Sequence, residues 1–160
     1  MSNSPAPSII TPDQLLAHWQ GHRGLTRRVI EAFPEDQLFT YQVGTMRTFG
    51  AMVLEFLSMG APTAQGLASG DWGGDYSFDR EPRAKTELLR LWDESTEEIN
   101  RLWPQIALSR FQEEMMAFGQ WPGTGWSLLF YVIDNEVHHR GQGYVYLRAL
   151  GVEPPLFFER

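Results

Sequence analysis

A chain of 160 residues with 42% hydrophobic and 13% aromatic content is sufficient for one domain with a substantial core. Its net charge of −7, with 13 Lys and Arg spread along the chain, argues against a nucleic-acid partner. The absence of cysteine excludes disulfides, thiolate metal sites and a cysteine nucleophile, and fits a reducing cytoplasm.

Residues 1–160 therefore read as a single domain, with residues 1–10 as a flexible arm that lacks the basic and apolar regions of a secretory leader. No apolar run reaches the roughly 18–20 residues that a membrane span needs. Thr11-Pro12-Asp13 is a helix start: a capping hydroxyl, a proline suited to the first helical position, and an acid at the positive helix end. Leu15, Trp19, His22, Thr26, Val29 and Phe33 then fall on one face, and Phe33-Pro34 closes this first helix.

A second helix is predicted from about Thr48 to beyond Met59. Between Arg47 and Asp71 it carries one charge, Glu55, set among Val53, Leu54, Phe56 and Leu57. A carboxylate in such surroundings needs neutralising, pairing or a bound cation. Residues 66–83, rich in Gly, Asp and Trp, read as a long surface loop, and the third helix runs from about Ala84 to Trp103 before Pro104. Residues 108–121 alternate loosely and suggest a short extended stretch, with Pro122-Gly123-Thr124-Gly125 as the turn after it. The last helix spans Trp126 to Leu150 with Thr124 as its cap, and the tail 151–160, which carries Leu156-Phe157-Phe158, is expected to pack on the bundle or on a partner.

Four helical stretches with a long crossover between the second and third give an all-α four-helix bundle. Its most informative stretch is Asp134-Asn135-Glu136-Val137-His138-His139-Arg140-Gly141-Gln142, a polar belt inside the last helix. At the helical period Asn135 and His139 share a face, whereas His138 turns about 100° away. If helices two and four face each other, Glu55 meets His139 across the core. Two readings stay open there: a buried Glu–His pair, or part of a divalent-metal site to which Asn135 adds a weak oxygen ligand. His18 and His22 also have i,i+4 spacing, but no carboxylate accompanies them and His22 lies within the apolar face.

His138-His139-Arg140-Gly141-Gln142, then Tyr144-Val145-Tyr146-Leu147-Arg148 and Leu150-Gly151-Val152-Glu153-Pro154-Pro155, resemble the C-terminal signature of the DinB family of damage-inducible and YfiT-like metalloenzymes. Met46-Arg47-Thr48-Phe49-Gly50 resembles the start of that family's second helix, and Ile30 to Leu38 the end of its first. The resemblance implies a four-helix bundle of unusual helix order, usually a homodimer, with a divalent metal held by three histidines. Their positions match Glu55, Asn135 and His139, so only His139 is retained. Zinc or nickel is the metal expected, with Glu136, His138, Gln142 and Tyr146 around its ligands or along the pocket. It also implies a metal-dependent enzyme, a thiol S-transferase or hydrolase acting on a low-molecular-weight thiol. The alternative is a non-catalytic homodimeric bundle, stress-related or binding a small molecule, in which Glu55 and His139 form a structural pair.

Overall fold

A computed structural model describes residues 9–73 and 84–160. The expected arm over residues 1–10 lies outside this range except for Ile9 and Ile10, as do residues 74–83 of the connection between the second and third helices. Helix α1 is Pro12–Ala32, α2 Phe49–Ser69, α3 Lys85–Leu102 and α4 Gly125–Ala149. Two single turns of 3₁₀ helix and an antiparallel hairpin, β1 (Glu114–Ala117) and β2 (Trp121–Thr124), connect α3 to α4. Among the described residues no helix is long and apolar enough to cross a membrane.

Local chemistry accounts for most boundaries. Thr11 and Gln14 form a reciprocal capping box at the start of α1. The Lys85 ammonium donates to the Glu31 and Phe33 carbonyls at the other end of α1, so a cation completes that terminus from the start of α3. Helix α2 outruns the sequence expectation and takes Gly66–Ser69 from the predicted loop. Gly60, Pro62 and Gly66 have poor helix propensity, but all three are buried, and packing carries the helix through them. The turn expected at Pro122–Gly125 is instead strand β2 and the start of α4; the chain reverses at Phe118 and Gly119, both with positive φ, in a primed hairpin turn closed by Gln120 N–H to the Ala117 carbonyl. Thr124 sits at the expected cap position of α4, but its hydroxyl donates to the Ser127 hydroxyl rather than accepting from the helix backbone.

In the bundle, α2 packs on α3 and α4, and α1 packs on the same two helices. The order around the bundle is therefore α1–α3–α2–α4, with α1 diagonal to α2. At Gly143 a Cβ would lie 2.5 Å from the Phe49 ring, so only glycine lets α4 pass this close to α2.

The core divides into two apolar halves. One holds Val29, Phe33, Phe49, Phe56, Trp92 and Tyr146; the other holds Leu15, Trp19, Leu67, Ile99, Leu129 and Ile133. Between them every helix contributes small or polar residues: His22, Arg23 and Thr26 from α1, Gly60 and Thr63 from α2, Ser95 and Thr96 from α3, Glu136 and Arg140 from α4. Arg23 lies over the Trp92 ring at 4.0 Å and donates to the Thr96 hydroxyl at 3.0 Å. Thr26 bridges the layer, donating to the Glu136 carboxylate and accepting from Arg140.

The tail returns to α1. Arg28 donates to the Glu159 carbonyl, and Arg160 meets His22 Nε2 at 3.1 Å, while Leu156, Phe157 and Phe158 stay exposed. His22 Nδ1 in turn lies 3.0 Å from Arg140. Burial, then the charges of Arg140, His18 and Arg160, lower the His22 pKa to about 4. The folded state thus holds this imidazole neutral, and its contribution to stability is present above the ordinary value of 6.5 and lost as pH falls towards 4. Melting temperatures of wild type and His22→Gln measured across pH 8 to 4 are expected to diverge within that window, the wild type losing stability more steeply; parallel curves would remove this role for His22.

A candidate pocket ending on Glu55

Glu55 lies in the second turn of α2, one helical turn before Met59, on the flank that faces α4. Its carboxylate is about a quarter exposed and carries three neighbours. Asn135 Nδ2 donates to Oε1 at 2.9 Å, His139 Nε2 lies 3.6 Å from the same oxygen, and the Arg47 guanidinium pairs with Oε2. Burial pushes the carboxyl pKa up, but hydrogen bonds from Arg47 and Asn135 and the charges of Arg47 and His139 outweigh it and hold the group below its ordinary value.

The structure thus brings together Glu55, Asn135 and His139 as the sequence suggested. Gln142 joins them, its Oε1 2.8 Å from His139 Nδ1. Tyr146 stands behind the site and donates to the Arg47 carbonyl at 2.8 Å. His138 is exposed and touches only the edge of His139, with ring centroids 4.8 Å apart. Glu136 does not join the group: one residue further round the helix, it is buried against α1 and bonded to Thr26. His18 and His22 lie edge to face, 4.6 Å between centroids, and the His22 nitrogens face arginines rather than an ion.

Arg47 is the residue that sequence reasoning missed. It precedes the Thr48 cap of α2 and reaches over the first two turns to Glu55, with its second nitrogen 3.5 Å from His139 Nε2. The signal was present: Arg47 is the cation bounding an apolar stretch whose one charge is Glu55.

A resident divalent metal would need Glu55, Asn135 and His139 to turn lone pairs to one point. Instead Asn135 presents its NH₂ group to Glu55 and leaves Oδ1 buried without a partner, while the guanidinium already bridges Glu55 and His139. Among the described residues no three His, Cys, Asp or Glu side chains group to hold an ion. As they stand, these residues do not fit the metal: one carboxylate and one imidazole are too few for a tight site, and both already contact a built-in cation.

From Glu55 a cavity of about 480 Å³ extends between α2, α4 and the hairpin. Met59 and Thr63 continue its α2 wall, Phe118 and Trp121 come from the hairpin, and Leu128, Tyr131 and Val132 from α4. Phe118 adopts φ of 52°, a conformation that costs a bulky residue roughly 1–3 kcal/mol and that places its ring 5.5 Å from that of Trp72. A largely apolar cleft of this size with few polar groups is the form of a small-molecule site.

A family model described as the DinB family matches residues 1–159. The uncharacterized protein YjoA of Bacillus subtilis (strain 168) is 24% identical over 152 residues, covering 92% of this chain and 97% of that protein. The solved structure of the DinB-like YjoA superposes with a TM-score of 0.73 at 23% identity, over 92% of this chain and 99% of that one. A DinB-like protein from Bacillus cereus ATCC 10987 gives a TM-score of 0.74 at 16% identity, over 91% and 97%.

If the misfit lies in Arg47 and Asn135, it is reversible. The double variant Arg47→Met with Asn135→His is expected to bind about one zinc or nickel ion per chain by titration calorimetry, and the wild type to bind none. Equal metal binding by both would show that the guanidinium does not stand in the ion's place.

Proposed function

This chain belongs to the DinB family, and on that premise we propose that it is a small-molecule-binding bundle in which Glu55, Arg47 and His139 form a charge-paired end to an apolar cavity. The observation that carries this reading is the cavity itself, about 480 Å³ and walled by apolar and aromatic side chains except at Glu55 and the hydroxyls of Thr63, Ser127 and Tyr131. Glu55 and Arg47 neutralise each other, so the polar end is stable with no bound ion. A metal-dependent transferase or hydrolase would require Arg47 to withdraw and Asn135 to turn its oxygen inward. The site-building residues lie on helices α2 and α4 and on the hairpin, and the helices are rigid supports for a defined pocket.

Wild-type protein is expected to enhance the fluorescence of the uncharged dye Nile red, and Leu128→Trp, which fills the cavity, to abolish the enhancement with circular dichroism unchanged. Chelator is expected to leave the melting temperature unmoved. Dye binding that survives Leu128→Trp, or a chelator-induced fall of several degrees, would sink this reading.

We also propose a homodimer. Helix α4 exposes Val137 and Val145, and the tail adds Leu156, Phe157 and Phe158. Exposed apolar groups in such number on one helix and one tail favour association. Light scattering at micromolar concentration is expected to give twice the chain mass of 18.3 kDa; a monomer mass would refute it.

A further inference from the structure

The charge on the cavity wall is one-sided. Among the described residues that line it, Glu55 is the one Asp, Glu, Lys, Arg or His, and its carboxylate stands at one end of a largely apolar space. Arg47 and His139 meet Glu55 from outside the described wall, so the charge that this wall itself offers a ligand head is a carboxylate. Trp121 and Tyr131 present aromatic surface in the same cavity, and aromatic faces attract ammonium groups.

Glu55 already has a counter-cation, but a displaceable one. The Arg47 side chain is 46% exposed and enters from the turn before α2, so its guanidinium can move into solvent without burying or stranding a charge. An incoming ammonium that replaces it leaves the charge of the site unchanged, and keeps the Asn135 hydrogen bond to the other carboxylate oxygen.

We propose that the cavity takes a primary amine with an aromatic or aliphatic body, whose ammonium binds Glu55 in exchange for Arg47. This rests on the reading of the cavity as a small-molecule site. The body of such a ligand lies along Met59, Leu128 and Val132, and its head is read by one carboxylate.

Titration calorimetry at pH 7 with three matched compounds tests the exchange: 2-phenylethylamine, 2-phenylethanol and 3-phenylpropionate. The amine is expected to bind at least about tenfold more tightly than the alcohol, as for a hydrogen-bonded charge pair, and the carboxylate not to bind. Glu55→Gln is expected to erase the preference for the amine. Arg47→Met, which removes the competing cation, is expected to tighten the amine several-fold and leave the alcohol unchanged. Equal binding of amine and alcohol by wild type overturns the proposal with no appeal to a variant, as does a preference that survives in Glu55→Gln. If Nile red occupies the cavity while the amine shows no advantage, the amine proposal falls and the cavity reading stands. If neither the dye nor any of the three compounds binds, both fall.

Discussion

Glu136 is a carboxylate enclosed at the centre of the bundle, and the arrangement of the helices follows from satisfying it. Burial drives its pKa up, against the opposing charges of Arg23 and Arg140 and the Thr26 hydrogen bond. An enclosed charge without partners costs several kcal/mol, so α1 must bring Arg23 and Thr26 to the level of Glu136 and Arg140. That requirement fixes the register of α1 against α4 together with the apolar packing on either side of it. It also explains why the apolar core is interrupted at one height on all four helices.

The same level of α4 serves two neighbours. Residues 136 and 140 point to α1, while residues 135 and 139, one step back on the helix, point to α2. One belt in the sequence is therefore two separate polar groups in space. The first is sealed and structural. The second is partly open, borders the cavity, and pairs its charge with a half-exposed arginine. In this chain the cation opposite Glu55 and His139 is supplied by the polypeptide, as the Arg47 guanidinium.

Much of this was legible beforehand, because strong local signals agreed with tertiary packing. The Thr11-Pro12 start and the apolar face of α1 follow from spacing alone, and the meeting of Glu55 with His139 follows once α2 faces α4. The extent of α2 was not legible, since Gly60, Pro62 and Gly66 weaken the helix signal and only the neighbours that bury them restore it. The hairpin was half legible: Phe118 carries no turn signature, yet it occupies a left-handed position that usually goes to Gly or Asn. Glu136 was placed on the wrong side because a helical face is broad, and a difference of 100° decides between two packed neighbours. Arg47 escaped because its partner lies eight residues away, across a helix cap, where no periodicity links the two.

The diagonal placement of α1 and α2 bears on how the chain assembles. In an up-and-down bundle each helix docks on the one just made, and closing a short loop is enough. Here α1 has its broad contacts with α3 and α4, so it waits for segments at least fifty residues downstream. Loop-closure entropy is then spent before the contacts that repay it, which raises the contact order above that of a simple bundle of equal length. During synthesis α1 leaves the ribosome well before the α3 and α4 faces on which it packs.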